Sequence, residues 1–282
     1  MSLGFLMGEV VAHLAVEGDR RIYFEHYPGA REVTVVLSHG WGMACRVWDN
    51  TTACLQDAGV GVVAYDHRNC GRSDKDFRDV SISALGDDVV ALCDHLGLGG
   101  VVVNGWSLGG VVVTDAAAKL GDRLAGLILT AAASPRYTQA DGFPYGGQPE
   151  DVTATVAALR ADRVNFLRTL YYEGAYAKDV GEAVKNWCWQ ISLQASPGAD
   201  ASLGALANVD YREAMTQIAA PALVFVGALD GVADPGIGRT AAELLPNGRL
   251  VEMADCGHTP FLEDPEAYHR ALLEFLGELG NG

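Results

Sequence analysis

The chain has 282 residues, of which 36 are acidic and 20 are basic, so its formal net charge at pH 7 is −16. An acidic surface repels phosphate backbones, and no cluster of Lys or Arg offsets it, which argues against nucleic-acid binding. Hydrophobic residues make up 49% of the chain, which is enough for a full core and excludes a disordered polymer.

Neither a membrane segment nor an export signal is predicted. The longest apolar stretch, residues 124–133, is far shorter than the roughly 18 residues that a spanning helix needs. Glu9 interrupts the apolar N-terminus, and no Lys or Arg precedes Arg20, which is not typical of a secretory signal. The six cysteines have neither CxxC nor metal-site spacing. We therefore expect a cytoplasmic protein with reduced thiols and no metal site.

The predicted elements alternate between strands and helices. Two strand patterns at 10–16 and 21–27 open the chain. Short apolar runs follow, as expected of parallel strands buried on both faces, at 33–37, 61–65, 101–103, 124–129 and 222–226. Helical spacing is clearest from Ile82 to Leu96, closed by Gly97, and in a last helix that begins after Asp264. The alternation predicts an α/β fold with an open, mostly parallel sheet flanked by helices.

One segment breaks this alternation. Residues 134–212 contain no convincing buried strand, whereas helical patterns occur at 152–170 and 180–193. We interpret 134–212 as a helical cap inserted into a core made of residues 1–133 and 213–282.

Four tryptophans lie in the cap or in loops that follow predicted strands. Trp41, Trp106, Trp187 and Trp189 suggest a pocket for an apolar group of a ligand. For Trp187 and Trp189, packing between cap helices is an equally good interpretation.

The most specific motif is G-x-S-x-G at residues 105–109. It follows a predicted strand and precedes a helical run, which is the context of a nucleophile elbow. In such a turn Ser107 points its hydroxyl out of the sheet, and the amide of Leu108 can stabilise negative charge. An incidental serine in a glycine-rich turn is the alternative, and the flanking strand and helix argue against it.

A base and an acid for this serine are expected later in the chain. His258 lies in a Gly-His turn after a further strand pattern at 249–253, where it can take the proton of Ser107 and return it to the leaving group. Asp230 follows the strand pattern at 222–226 and can orient His258. Asp234 and Asp255 compete for that role, although Asp234 precedes a proline and is expected to cap a helix.

A second oxyanion donor is expected after the strand at 33–37. There the amide of Trp41 is the natural partner of the Leu108 amide. His39 is expected to brace this loop rather than act as a base. The loop 66–73 is interpreted as a structural turn beside the site, in which Asp66 and Arg68 could pair.

Taken together, these motifs resemble those of the α/β-hydrolase fold superfamily over nearly the whole chain. The resemblance rests on the His39-Gly40-Trp41 segment, the 66–73 loop, the elbow at Ser107, Asp230 and His258. Serine at the elbow, where haloalkane dehalogenases and epoxide hydrolases use aspartate, argues against those chemistries.

A narrower resemblance covers mainly the first half of the chain. The His39-Gly40-Trp41 segment, Trp48 and the loop 68–74 are similar to those of bacterial arylesterases and metal-free haloperoxidases. That family usually has glycine where Asn69 stands, and asparagine tolerates a positive φ better than other non-glycine residues.

The resemblance implies a cofactor-free serine hydrolase that cleaves small to medium apolar carboxylic esters or lactones through an acyl-enzyme. Two alternatives stay open, since fold alone does not determine function. One is perhydrolysis, in which peroxide replaces water, and the other is a ligand receptor that keeps the triad with little turnover. A small-molecule substrate is the expected partner, with neither nucleic acid nor membrane, and the oligomeric state is left open.

Overall fold

The centre of the molecule is a single mixed sheet. The computed structural model describes residues 10–279, and these form eight strands in the spatial order β1-β2-β4-β3-β5-β6-β7-β8. The strands are β1 (Val10–Glu17), β2 (Arg20–Tyr27), β3 (Val33–Ser38), β4 (Gly61–Tyr65), β5 (Gly100–Trp106), β6 (Leu124–Thr130), β7 (Ala222–Gly227) and β8 (Gly248–Met253). From β3 onward neighbouring strands pair in parallel, whereas β2 pairs antiparallel with both β1 and β4.

Helices cover both faces of the sheet and fill the long connection between β6 and β7. They are α1 (Asp49–Asp57), α2 (Ile82–His95), α3 (Leu108–Leu120), α4 (Pro149–Ala161), α5 (Arg163–Thr169), α6 (Gly181–Ser192), α7 (Ala201–Leu206), α8 (Arg212–Met215), α9 (Pro235–Leu244), α10 (Pro260–Glu263) and α11 (Pro265–Leu279). The interior strands β4 and β7 are buried along their whole length. This two-sided burial is the physical reason for the continuous apolar runs in the sequence.

The predicted fold class is confirmed. The ends of the strands agree with the sequence patterns to within three residues. Gly97 follows α2 with a φ of 63°, and Asp264 caps α11 by accepting the N–H of Ala267 at 3.2 Å. The helical pattern at 152–170 is two helices rather than one. The helix is interrupted at Asp162, whose carboxylate accepts the N–H of Asn165 and so caps the start of α5.

Between β6 and β7, residues 134–212 hold α4 to α7 and two isolated bridges at 138–147. The sequence patterns missed α7 and α8, which are short. Within residues 10–279, no helix has the length and apolar character to cross a bilayer. The N-terminal stretch through Glu9, used above to argue against an export signal, lies outside the described residues, as do the outer limits of the proposed core.

Candidate active site

The turn between β5 and α3 is sterically tight. Ser107 adopts φ 57° and ψ −122°, a conformation that costs a non-glycine residue about 1–3 kcal/mol. A Cβ on Gly105 would lie 2.2 Å from the carbonyl oxygen of Gly109, and one on Gly109 would lie 2.4 Å from the carbonyl oxygens of Ser38 and His39. The two glycines are therefore required because the first turn of α3 presses against both the end of β5 and the end of β3.

His258 and Asp230 are in direct contact. The Nδ1 atom of His258 lies 2.8 Å from Oδ2 of Asp230, and both side chains are buried. The other carboxylate oxygen accepts the N–H groups of Val232 at 2.8 Å and Ala233 at 2.9 Å. Because Nδ1 faces a carboxylate, it carries the proton of the neutral ring and leaves Nε2 as an acceptor.

The two competing acids are placed elsewhere. Asp234 accepts the N–H of Gly236 at 2.8 Å and caps α9, as expected from the proline that follows it. Asp255 is exposed in the turn after β8. Of the three aspartates considered, only Asp230 meets the ring of His258.

Leu108 and Trp41 border the same cavity as Ser107 and His258. Leu108 is the first residue of α3, so its N–H has no partner within the helix. The side chain of Trp41 is fixed by the segment between β6 and β7, because its Nε1 donates to the carbonyl of Ala199 at 3.2 Å. Both amides predicted to bind an oxyanion thus belong to residues in the wall beside the serine.

His39 braces the loop that carries Trp41. Its Nδ1 lies 2.7 Å from the carbonyl oxygen of Gly40, its Nε2 accepts the N–H of His67 at 2.9 Å, and the two rings stack at 3.8 Å. Burial lowers the pKa of His39 to about 4, and burial beside His39 lowers the pKa of His67 well below its ordinary value. Both rings are therefore neutral at pH 7, and His39 has a bracing role, as expected.

The expected pair between Asp66 and Arg68 is wrong. Arg68 donates to both oxygens of Asp88 on α2, each at 2.7 Å. Asp66 instead accepts the backbone N–H groups of Cys45 at 2.6 Å and Arg72 at 2.7 Å. The carboxylate thus ties the loop to the segment after the Trp41 loop, and Arg68 turns away toward the helix.

Asn69 in this loop has a φ of 65°, as its tolerance of the left-handed region suggested. Its side chain also accepts the N–H of Phe77 and donates to the carbonyl of Phe77, each at 3.1 Å. Glycine could adopt the backbone conformation but could not make these two bonds.

A small cavity of about 120 Å³ adjoins the serine. It is lined by Gly40, Trp41, Trp106, Ser107, Leu108, Tyr137, Thr155, Phe166, Leu170, Tyr171, Ala175, Leu203, Leu206, Val232 and His258. The hydroxyl of Tyr137 donates to the carbonyl of Val232, and that of Thr155 donates to the carbonyl of Asp151. Burial raises the pKa of Tyr137, so it stays neutral. None of the described residues that line the cavity is Asp, Glu, Lys or Arg, so this wall is apolar.

The four tryptophans separate into two pairs. Trp41 and Trp106 line the cavity, and Nε1 of Trp106 donates to the carbonyl of His258 at 2.7 Å. Trp187 and Trp189 are absent from its lining, contrary to the expectation that they border the pocket. Trp189 donates to the carbonyl of Val164 at 3.3 Å, and Trp187 packs half-buried against the core. Both therefore serve packing between the helices of this segment.

Sequence reasoning missed most of the cavity wall. Eight of its members come from the segment between β6 and β7: Tyr137, Thr155, Phe166, Leu170, Tyr171, Ala175, Leu203 and Leu206. Apolar residues at helical spacing look the same in sequence whether they face a core or a cavity, so no local signal marks them. Within residues 10–279, no group of three or more His, Cys, Asp or Glu side chains is arranged to hold a metal ion.

Comparisons with known proteins agree with this architecture. A family model described as alpha/beta hydrolase fold matches residues 33–265. A pimeloyl-(acyl-carrier protein) methyl ester esterase of Vibrio cholerae is 31% identical over 245 residues, which are 86% of this chain and 93% of that protein. The bifunctional esterase/perhydrolase DCH of Acinetobacter calcoaceticus is 28% identical over 257 residues, with 88% and 93% covered. Among solved structures, an esterase from Exiguobacterium antarcticum superposes with a TM-score of 0.88 at 27% identity, with 92% and 96% covered.

Proposed function

Because the chain belongs to the α/β-hydrolase fold family, we propose that it is a serine hydrolase that cleaves small, uncharged carboxylic esters or lactones through an acyl-enzyme. The observation that carries the proposal is the 2.8 Å contact between His258 and Asp230 beside Ser107, with His258 and Ser107 in the wall of one apolar cavity. This is the set of groups that nucleophilic acyl transfer requires.

The proposed reaction proceeds in two halves. The Ser107 hydroxyl attacks the ester carbonyl while Nε2 of His258 takes its proton, and Asp230 stabilises the imidazolium that forms. The amides of Trp41 and Leu108 stabilise the oxyanion of the tetrahedral intermediate. His258 then protonates the departing alcohol, and a water molecule, activated by the same ring, releases the acid from Ser107.

The size and the polarity of the cavity favour a short, neutral acyl group. At about 120 Å³ it leaves little room for a long chain. The hydroxyl groups of Tyr137 and Thr155 already donate to backbone carbonyls. With no cation in the wall, a substrate carboxylate would lose its hydration without gaining a partner, which is strongly unfavourable.

Perhydrolysis is the second candidate, because the Acinetobacter calcoaceticus relative is named an esterase/perhydrolase. It uses the same acyl-enzyme and differs only in the nucleophile of the second half, hydrogen peroxide in place of water. The two activities are therefore distinguished by product, a peracid or a carboxylic acid.

The test combines active-site labelling with an ester panel. A fluorophosphonate probe should label the wild-type protein at Ser107, and Ser107→Ala should abolish both labelling and turnover of p-nitrophenyl acetate and butyrate. Ser83→Ala, which changes an exposed serine on α2, is the matched control and should behave as wild type. Labelling that persists in Ser107→Ala would overturn the proposal. Labelling at Ser107 with turnover far below about 1 per second on every ester and lactone, with or without peroxide, would favour a receptor.

A further inference from the structure

We propose that Glu263 is a positioning residue that fixes the turn carrying His258 and fastens that turn to the segment covering the cavity. The inference rests on the proposed function of His258 as the base. Glu263 is the last residue of α10, and its side chain is buried rather than solvated. It does not line the cavity, so it acts through other groups.

Both oxygens of the carboxylate accept hydrogen bonds from the turn that carries His258. Its Oε2 accepts the N–H of Gly257 at 2.8 Å, and its Oε1 accepts the N–H of Thr259 at 3.0 Å and the hydroxyl of Thr259 at 3.1 Å. Gly257 and Thr259 are the two neighbours of His258 in the chain. The carboxylate therefore fixes the backbone on both sides of His258.

The other contacts of the carboxylate reach the segment between β6 and β7. Oε2 also accepts the N–H of Ala177 at 2.8 Å and of Lys178 at 3.0 Å. Next to these residues, Ala175 lines the cavity, and its carbonyl accepts the N–H of His258 at 3.0 Å. A single buried carboxylate thus joins the base to a wall of the cavity.

The two segments are also in close steric contact. A Cβ on Gly257 would lie 2.8 Å from the backbone nitrogen of Ala177. The glycine in the Gly-His turn is therefore needed to let the two backbones approach close enough to share Glu263. Four backbone N–H groups would lose their acceptor if the carboxylate were removed.

The geometry of His258 depends on this arrangement because its ring projects from the turn that Glu263 holds. The ring must keep Nδ1 on Asp230 while Nε2 faces Ser107, and a displacement of about 1 Å costs roughly a hundred-fold in rate. Hydrogen bonds from N–H groups to a carboxylate are charge-assisted and about twice as strong as neutral ones. An amide at this position has only one acceptor oxygen, and its NH₂ group would oppose N–H donors.

The experiment compares Glu263→Gln, Glu263→Ala and Asp264→Asn with wild type. Asp264 is the matched control: it also bonds the covering segment, through Lys178 Nζ at 3.0 Å, and it caps α11, which asparagine can also do. We expect kcat per titrated active site to fall about ten-fold or more in Glu263→Gln, with KM changed less than about three-fold. Glu263→Ala should be worse, and Asp264→Asn should stay within about two-fold of wild type.

Hydrogen exchange supplies a readout that does not depend on turnover. In Glu263→Gln the amides of residues 177, 178, 257 and 259 should exchange faster than in wild type, whereas Asp264→Asn should leave those of 257 and 259 unchanged. If Glu263→Ala does not fold, the comparison of Glu263→Gln with Asp264→Asn still tests the positioning role of Glu263.

Each outcome has one meaning. Faster exchange with unchanged kcat would show a purely structural carboxylate and overturn the inference, as would unchanged exchange at residues 257 and 259. A wild-type protein that neither labels at Ser107 nor turns over esters would instead overturn the proposed function, while the exchange pattern would still show whether Glu263 holds the two segments together.

Discussion

The Ser107 turn, which we propose to be a nucleophile elbow, and the histidine turn face the same cavity, but they are held in different ways. The elbow depends on close backbone contacts at Gly105 and Gly109, where no side chain fits. The histidine turn depends on polar partners from distant parts of the chain, among them Asp230 and Trp106, which lie 28 and 152 positions away from His258.

This difference predicts a different main weakness for each turn, although Gly257 also makes a close backbone approach in the histidine turn. The elbow fails when volume is added, because its neighbours are backbone atoms that cannot move aside. The histidine turn fails when an acceptor is removed, because buried donors are then left unpaired. Removal of an acceptor near His258 and addition of volume beside Ser107 therefore test this difference.

The largest effect is expected at the acid that contacts His258. Asp230→Asn keeps the shape of the side chain but can present an NH₂ group to Nδ1, which favours the wrong tautomer of the ring. We expect kcat for p-nitrophenyl acetate to fall by about 10⁴-fold. Asp234→Asn keeps the cap of α9 and should leave kcat nearly unchanged. If the two variants are equally damaged while folded, Asp230 does not have the role proposed for it.

The next effect concerns the two buried histidines, His39 and His67, that brace the loop carrying Trp41. The pKa of His39 lies at about 4 in the folded protein, against an ordinary 6.5, so below pH 6.5 only the unfolded chain takes up this proton. The contribution of His39 to the free energy of unfolding should therefore be complete above pH 6.5 and be lost as the pH drops toward 4, whereas the raised pKa of buried Asp88 acts in the opposite direction. The difference in pKa corresponds to at most about 3 kcal/mol from His39.

Urea unfolding at several pH values between 4 and 7 measures this loss. His39→Asn keeps an amide donor for the carbonyl of Gly40 and removes one titrating ring, so its stability should fall less steeply with acid. Buried His67 contributes in the same direction, so the slope should shrink rather than vanish. A His39→Asn variant whose stability changes with pH by the same amount as that of wild type would contradict the expectation.

A smaller effect is expected from adding volume at the elbow. A methyl group on Gly109 would meet the carbonyl oxygens of Ser38 and His39 at 2.4 Å. We expect Gly109→Ala to lower the free energy of unfolding by about 1–3 kcal/mol. Gly204 on α7 is the matched control, because a Cβ there meets nothing within 4 Å. Gly204→Ala should be neutral or slightly stabilising, and equal stability of the two variants would refute the steric account.

The smallest effect separates the cavity wall from helix packing. Leu206 lines the cavity, whereas Trp189 does not. Leu206→Ala should raise the ratio of kcat/KM for p-nitrophenyl hexanoate to that for the acetate by about ten-fold, the scale of one or two methylene groups. Trp189→Leu should lower Tm and leave this ratio unchanged. A shift of the ratio in Trp189→Leu alone would place the acyl site elsewhere.

Much of the architecture followed from the sequence, because its causes act within a few residues. Burial on both faces of a strand produces apolar runs, and Asp264 before a proline starts α11. The crowding around Ser107 requires glycines at fixed positions, and Asn69 adopts the positive φ that its side chain tolerates. Each of these features depends on backbone sterics or local hydrogen bonds, which neighbouring residues specify.

Tertiary structure decided the contacts between distant segments. In the folded chain Asp230 contacts His258, whereas Asp234 and Asp255 do not. Trp187 and Trp189 are not among the residues that line the cavity. The partner of Arg68 and the contacts of Glu263 belong to the same class. A carboxylate or an indole has the same local sequence signature whichever partner it meets, and only the packing of the chain determines which donors and which cavity come within about 3 to 4 Å of it.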